Sequence, residues 1–189
     1  AEPMAEALLA GGLDEIENTL RTEAALPGME RIIEKFPQMH VGAGTVLDAE
    51  FVPQLKAMGV EFAVSPGLNP RVVEAAQDSE MNVFPGVASP TEVEAARAMG
   101  LKILKFFPAE PLGGVPMLKA LIGPYGHTGI SFVPTGGIDA DKAAEYARLS
   151  TVAAIGGSWF VKASLMEDGK WDEITKMTKE AIALIAEAE

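Results

Sequence analysis

Short apolar runs alternate with amphipathic segments along most of the chain. The apolar runs have the length and composition of buried strands and lie at 14–20, 40–45, 61–65, 81–85, 103–107, 131–135 and 152–155. Segments with helical periodicity follow them at 26–36, 48–58, 70–77, 90–99, 114–121, 139–147 and 171–188, and a further helix is predicted at 3–10. This alternation is typical of repeated βα units that build a parallel sheet.

Several predicted helices carry start and stop signals. Asp48, Ser89 and Asp139 precede helical segments and supply side-chain oxygens that can cap a helix N-terminus. Gly59 and Gly100 stand where two helices should end, because glycine adopts the left-handed conformation that often follows a last turn. The helix boundaries are therefore predicted with a physical cause at these positions.

Repeated βα units of this size predict a (β/α)8 barrel, in which chemistry gathers at the C-terminal ends of the strands. The chain has 189 residues and is 48% hydrophobic, so we expect one core and a single domain over 1–189. One strand is missing from the count, because 3–10 reads as the first helix. We expect that the first strand of the barrel is absent from the chain, and we note that the strand at 14–20 is unusually polar.

Charge and composition exclude several classes of protein. The formal net charge of -12 disfavours binding to nucleic acid or to an acidic membrane surface. No apolar span is long enough for a membrane helix, and the N-terminal residues do not resemble a signal peptide, so a cytoplasmic protein is expected. The chain has no cysteine, which excludes disulfides and thiolate chemistry. An anionic ligand would need a local pocket of cations and backbone N–H groups.

Lys105 is the first candidate for chemistry. It lies inside the apolar run Ile103-Leu104-Lys105-Phe106-Phe107, near the predicted end of a strand. Removing a lysine from water disfavours its ammonium form, and a neutral amine can attack a ketone. The alternative is a lysine whose stem lines the strand while its ammonium reaches water.

Two glycine-rich turns follow the last two predicted strands, in Pro134-Thr135-Gly136-Gly137 and Ile155-Gly156-Gly157-Ser158. In barrels, the loops after the last two strands commonly hold a phosphate through backbone N–H groups. Either turn alone would be read as an ordinary tight turn. Two at successive strand ends favour a phosphate site.

Seven motifs follow one another in a fixed order along the chain: Glu17 with Thr19-Leu20-Arg21-Thr22-Glu23, Gly42-Ala43-Gly44-Thr45-Val46, Ser65-Pro66-Gly67-Leu68, Pro85-Gly86-Val87, Lys105-Phe106-Phe107-Pro108-Ala109-Glu110, Pro134-Thr135-Gly136-Gly137-Ile138 and Gly156-Gly157-Ser158-Trp159. With these motifs, the chain resembles the 2-keto-3-deoxy-6-phosphogluconate (KDPG) and 4-hydroxy-2-oxoglutarate aldolases over nearly its whole length. The resemblance implies a (β/α)8 barrel, usually a homotrimer, that acts in the Entner–Doudoroff pathway.

The resemblance also implies a role for each site residue. Lys105 would form the Schiff base and Glu17 would be the general acid and base. The remaining residues would bind substrate: Arg21 and Thr45 at the carboxylate and nearby oxygens, Pro66 and Phe107 as pocket walls, Thr135 as a further contact, and Gly136, Gly137, Gly157 and Ser158 at the phosphate. Glu17, Thr19 and Arg21 would alternate on one face of an extended strand, which agrees with a shared site.

The expected partners are small molecules, namely a phosphorylated keto-deoxy sugar acid and pyruvate. No metal or other cofactor is expected, because the protonated imine serves as the electron sink; the two histidines, His40 and His127, are interpreted as surface or core-edge residues. Two alternatives stay open at this point. In the first, the chain is an aldolase for the galactonate epimer of the substrate. In the second, it is a non-catalytic or engineered barrel that retains the scaffold.

Overall fold

The computed structural model describes residues 1–188, which form an α/β fold with parallel strands. In chain order the elements are α1 (Glu2–Gly11), β1 (Glu15–Thr19), α2 (Ala25–Lys35), β2 (His40–Gly44), α3 (Phe51–Met58), β3 (Phe62–Ser65), α4 (Pro70–Asp78), β4 (Asn82–Val87), α5 (Pro90–Ala98), β5 (Ile103–Phe106), α6 (Gly114–Tyr125), a 3-10 helix (Gly126–Thr128), β6 (Ser131–Pro134), α7 (Ala140–Ala147), α8 (Ala163–Glu167) and α9 (Trp171–Ala188).

The chain folds into two compact units. Unit 1 comprises Ala1–Ser65, Asn69–Val83 and Phe160–Ile182. Unit 2 comprises Pro66–Leu68, Phe84–Trp159 and the residues from Ala183 onward.

In unit 1, β1, β2 and β3 pair in parallel and in chain order. Glu17 of β1 lies opposite Gly42 of β2, and Thr19 lies opposite Gly44. The interior of the unit is apolar, with β2 and β3 almost wholly buried and apolar side chains of the helices buried as well, including Met29, Ile32, Val52, Leu55, Val72 and Val73. The polar strand β1 is the exception, because Glu15 and Glu17 are exposed.

In unit 2, β4, β5 and β6 pair in parallel, again in chain order. Gly86 of β4 lies opposite Lys105, and Lys105 lies opposite Val133 of β6. A continuous apolar cluster packs around these strands and includes the fully buried Leu104, Phe106, Leu118, Phe132 and Tyr146. The register therefore places Lys105 between the buried Gly86 and the half-buried Val133.

The predicted helix ends are confirmed at most positions. Ser89 accepts a hydrogen bond from the Glu92 N–H at 3.4 Å, and Asp139 accepts one from the Lys142 N–H at 3.0 Å. Gly59 and Gly100 adopt left-handed φ angles of 91° and 81°. The Asp48 cap is wrong, because α3 begins three residues later and its N-cap residue is Glu50, without a side-chain cap.

The predicted strand at 152–155 is also wrong as a continuous strand. Val152 forms an isolated parallel bridge with Phe132, and Gly156 forms another with Thr135. Ala153 and Ala154 stand between the bridges, and alanine lacks the side chain that packs a strand onto its neighbours. Within residues 1–188, the strands thus number six, and the first element is α1.

Two further points concern helices. The short helix α8 was not predicted. In α9, the buried positions are Ile174, Thr178 and Ala181, while the apolar side chains of Met177, Ile182 and Ile185 are half-buried. Thr178 donates to the Ile174 carbonyl and Thr175 to the Ala7 carbonyl of α1, which explains why hydroxyl side chains are accepted in this helix. Across the part of the chain that the structure describes, no helix is both long and apolar enough to cross a membrane.

Candidate active site

Lys105 lies near the C-terminal end of β5 and is 7% exposed. Its Nζ is 5.1 Å from the centroid of the Phe107 ring, a distance at which an aromatic face attracts a cation. On the neighbouring strand, Gly86 makes room for the chain at Pro66, since a Cβ on Gly86 would lie 2.0 Å from the Pro66 carbonyl oxygen. The structure therefore agrees with a lysine removed from water and not with one whose ammonium reaches the solvent.

The segment after β5 is tied to the glycine turn after β6. The Ala109 N–H donates to the Thr135 carbonyl at 2.8 Å, and the Glu110 N–H donates to the Gly136 carbonyl at 3.0 Å. Gly136 and Gly137 have φ angles of 106° and 78°, which side chains rarely adopt. A Cβ on Gly136 would also lie 3.3 Å from the Phe107 ring. The turn therefore needs glycine for both conformation and space.

The second glycine turn lies beside the first. The Gly156 N–H donates to the Pro134 carbonyl at 2.9 Å, and a Cβ on Gly156 would lie 2.3 Å from the Thr135 hydroxyl oxygen. The Trp159 ring covers Gly157, where a Cβ would lie 1.9 Å from the ring. Ser158 is exposed between them. Unit 2 thus brings together the predicted residues Lys105, Phe107, Pro66, Thr135, Gly136, Gly137, Gly157 and Ser158.

Unit 1 carries the predicted acid and base. Glu17 is exposed on β1, and its carboxylate lies across Gly44 of β2, where a Cβ would be 2.0 Å from Oε1. Since β1 and β2 place Thr19 opposite Gly44, the Glu17 side chain reaches along the strand toward its C-terminal end. A side chain at position 44 would therefore displace the Glu17 carboxylate.

Arg21 and Thr45 also lie in unit 1, after the ends of β1 and β2. β1 ends at Thr19, so Arg21 follows in a bend and the predicted alternation of Glu17, Thr19 and Arg21 along one strand is wrong at its last member. The Arg21 Nε donates to the Thr19 hydroxyl at 3.1 Å. Thr45 has a φ of 58°, a strained conformation for a β-branched residue and one that clusters at functional sites.

A protein-family model described as the KDPG and KHG aldolases matches residues 1–177. The chain belongs to this aldolase family. The 2-dehydro-3-deoxy-phosphogluconate aldolase of Haemophilus influenzae is 42% identical over 97% of this chain and 85% of the relative.

Two solved structures of KDPG aldolases superpose closely on this family member. The first comes from Legionella pneumophila and has pyruvate captured at low pH as a covalent carbinolamine; it is 41% identical, covers 95% of this chain and 86% of that one, and has a TM-score of 0.91. The second comes from Zymomonas mobilis with 3-phosphoglycerate; it is 41% identical, covers 95% of this chain and 83% of that one, and has a TM-score of 0.87.

The sequence interpretation assigned no role of their own to three residues that lie against candidate site residues, Thr19 and Gly44 in unit 1 and Glu110 in unit 2. Thr19 orients Arg21, Gly44 makes room for Glu17, and Glu110 lies against the Gly136-Gly137 turn. Thr19 and Glu110 lie inside motifs that carried the family resemblance, and Gly44 is the second glycine of Gly42-Ala43-Gly44-Thr45. The roles of Gly44 and Glu110 depend on cross-strand and cross-loop contacts, which motif spacing does not reveal.

His40 and His127 are both exposed, as the sequence predicted for surface histidines. The His40 ring lies 2.9 Å from a Glu61 oxygen. The hydrogen bond to Glu61 raises the pKa of His40, and the negative charges of Glu61, Asp14 and Glu15 act in the same direction. This ion pair lies at the start of β2, whereas Gly44 and Thr45 lie at its other end.

Proposed function

We propose that this chain is a class I, Schiff-base-forming aldolase. It cleaves 2-dehydro-3-deoxy-6-phosphogluconate to pyruvate and glyceraldehyde 3-phosphate, and it also acts on 4-hydroxy-2-oxoglutarate. The observation that carries the proposal is the buried Lys105 at the end of β5, in the same unit as two glycine turns, in a chain that belongs to the KDPG and KHG aldolase family. The likeness to an aldolase structure that holds pyruvate as a carbinolamine supports the same chemistry.

In the proposed reaction, the neutral amine of Lys105 adds to the C2 ketone of the substrate and gives a carbinolamine. Loss of water gives a protonated imine, which accepts the electron pair when the C3–C4 bond breaks. Removal of the C4 hydroxyl proton drives this cleavage, and we assign that step to Glu17, directly or through water. The resulting enamine is protonated at C3, and hydrolysis releases pyruvate and restores the lysine amine.

The remaining site residues are proposed to bind substrate. Arg21 and Thr45 hold the carboxylate and nearby oxygens, and the Arg21 guanidinium is already oriented by its hydrogen bond to Thr19. Pro66 and Phe107 form the walls of the pocket, and Thr135 is a further contact. Backbone N–H groups of Gly136, Gly137, Gly157 and Ser158, with the Ser158 hydroxyl, hold the phosphate without requiring a positive net charge.

The two alternatives raised by the sequence are not favoured. Relatives at 41–42% identity are KDPG aldolases, and this chain keeps the lysine and the glutamate that the family resemblance assigns to catalysis. We further propose a (β/α)8 barrel, a homotrimeric assembly and a role in the Entner–Doudoroff pathway, each supported by the family resemblance. A cytoplasmic location stays a prediction. Light scattering coupled to size-exclusion chromatography tests the trimer.

The central experiment is reduction of the protein with borohydride in the presence of pyruvate, followed by peptide mass spectrometry. We expect one reduced pyruvyl group, attached to Lys105. Lys102 directly precedes β5 and is exposed, so it is an internal control for non-specific modification. Modification of Lys102 or Lys119 in place of Lys105, or no adduct in a protein that cleaves the substrate, would contradict the Schiff-base mechanism.

A further inference from the structure

Glu110 and Tyr146 form a carboxylate–phenol pair that the proposed reaction does not use. The Tyr146 side chain is completely buried in the apolar cluster of unit 2, and its hydroxyl donates to Glu110 Oε1 at 2.8 Å. Burial raises the pKa of Tyr146 and the neighbouring Glu110 carboxylate adds to the effect, so the hydroxyl keeps its proton and remains a donor. Burying polar groups in an apolar cluster costs stability unless they are paired, and even a paired hydroxyl and carboxylate gain little over apolar side chains. We therefore expect this pair to have a function beyond packing.

Glu110 contacts two backbone segments besides Tyr146. Its N–H donates to the Gly136 carbonyl at 3.0 Å, and a Cβ on Gly137 would lie 3.0 Å from Glu110 Cβ. A Cβ on Gly114, at the start of α6, would lie 3.0 Å from Glu110 Oε1. The Glu110 side chain therefore passes closely by the turn after β6 and the first residue of α6 before it reaches α7.

These contacts determine the direction of the peptide groups in the turn. The carbonyls of Thr135 and Gly136 accept hydrogen bonds from Ala109 and Glu110. In a planar trans peptide the C=O and the following N–H point in opposite directions. The N–H groups of Gly136 and Gly137 must therefore point away from Ala109 and Glu110, which hold the carbonyls of Thr135 and Gly136. The direction of the Gly137 N–H thus depends on Glu110, because Glu110 holds the carbonyl of the same peptide group.

We propose that Glu110 and Tyr146 are a positioning pair that holds the Gly136-Gly137 turn in its anion-binding conformation and thereby sets the preference for phosphorylated over unphosphorylated keto acids. This inference rests on the proposed function, because it assigns a support to the phosphate site of the aldolase. Neither residue needs to touch substrate. The pair acts through the backbone of the turn.

The test compares Tyr146→Phe with the wild-type protein on two substrates, 2-dehydro-3-deoxy-6-phosphogluconate and 4-hydroxy-2-oxoglutarate. The phenyl ring still fills the core, while the Glu110 carboxylate loses its donor. We expect KM for the phosphorylated substrate to rise about tenfold with kcat nearly unchanged, and kcat/KM for the unphosphorylated substrate to stay near the wild-type value. Amide hydrogen exchange in a peptide covering 136–138 should become faster, whereas exchange in the β5 strand should not.

Tyr125→Phe is the matched control. Tyr125 is also a buried tyrosine of unit 2 whose hydroxyl donates to a glutamate, Glu94, at 3.0 Å, but it lies on α6 and pairs with α5. We expect this variant to leave both substrates unaffected. Glu110→Gln, which keeps an acceptor oxygen for the phenol, should lose less of the substrate preference than Tyr146→Phe.

The outcomes separate this inference from the proposed function. Absence of aldolase activity and of a borohydride-trapped lysine in the wild type would overturn the proposed function itself. An active wild type with equal losses on both substrates in Tyr146→Phe, or with no loss on either, would overturn the positioning role alone. Should Tyr146→Phe not fold, Glu110→Leu makes the same test from the other partner. If neither variant folds while Tyr125→Phe does, the pair serves core stability and the proposal is wrong.

Discussion

At the scale of single residues, Gly44 matters because the Glu17 carboxylate occupies the place where its side chain would be. We expect Gly44→Ala to push the carboxylate aside and to lower kcat about 10²–10⁴-fold, as Glu17→Gln should, because that is the usual contribution of a positioned acid or base. The fold should survive, since Glu17 is exposed and its side chain can move. Borohydride trapping of pyruvate should remain measurable in both variants.

The control for this comparison is Gly123→Ala in α6. A Cβ at Gly123 meets no atom within 4 Å among the residues described, so the same methyl group is added in open space. This variant should keep full activity, and its stability should change little, because the better helix propensity of alanine is offset by the Pro124 ring, which disfavours a helical conformation for a preceding residue that has a Cβ. Full activity in Gly44→Ala would show that the position of Glu17 in the structure is not the one that acts in turnover.

Ser158 tests the phosphate site at the same scale. Ser158 is exposed and directly follows Gly157, which is covered by the Trp159 ring. We expect Ser158→Ala to lower kcat/KM for the phosphorylated substrate about ten- to a hundredfold, the effect of losing one hydrogen bond to a charged group. Rates on 4-hydroxy-2-oxoglutarate should barely change. Equal losses on both substrates would mean that Ser158 shapes the site as a whole and that the phosphate binds elsewhere.

At the scale of the elements, the N-terminus of α5 has a reciprocal cap. Ser89 accepts from the Glu92 N–H, while Glu92 Oε2 accepts from the Ala88 N–H at 2.7 Å and from the Ser89 hydroxyl at 3.0 Å. We expect Ser89→Ala to lower the free energy of unfolding by about 1 kcal/mol. Chemical denaturation measures this, with Ser79→Ala at the end of α4 as a control that should stay within about 0.5 kcal/mol.

Element boundaries were mostly predictable where one residue determines them, with Asp48 as the exception, and not where strand pairing does. Ser89, Asp139, Gly59 and Gly100 act locally, and the structure confirms each. The segment 152–155 has an apolar run typical of a strand, yet it forms only isolated bridges. Whether an apolar run becomes a strand depends on a continuous ladder with a neighbour, and periodicity within the run carries no information on that ladder.

At the scale of the whole molecule, the His40–Glu61 pair makes stability depend on pH. Folding raises the pKa of His40. Its contribution to stability is therefore fully present below its pKa in the unfolded chain, about 6.5, and is lost as the pH rises through its pKa in the folded protein. We expect the wild type to melt at a higher temperature than His40→Gln at about pH 5.5, and the difference to vanish by about pH 9. The effect should be small, since both side chains are more than half exposed, at 57% and 52%.

Glu61→Gln serves as the second variant in this series, because it removes the partner but keeps the histidine. Its melting temperature should also lie below that of the wild type at about pH 5.5, and this difference should again vanish by about pH 9. A difference between wild type and His40→Gln that does not change with pH would mean that His40 contributes by packing and not by charge.

Much of this protein follows from local sequence. The alternation of strands and helices, the caps, the lysine in an apolar strand and the two glycine turns are all properties of short segments, because hydrophobic periodicity, helix capping and glycine conformations act over a few residues. The family resemblance added roles to Lys105, Glu17 and the binding residues. It did so by matching short motifs in order, which requires no knowledge of how those motifs meet in space.

Tertiary structure decided the contacts between segments that are far apart in the chain. The burial of Lys105, the place of Glu17 across Gly44, the strained φ of Thr45 and the hydrogen bond from Tyr146 to Glu110 all depend on strand register and helix packing. The sequence does not show whether a given glutamate, glycine or tyrosine will contact solvent or a carboxylate in the folded protein. Only packing supplies that neighbour, and the energy of each polar group depends on which neighbour it meets.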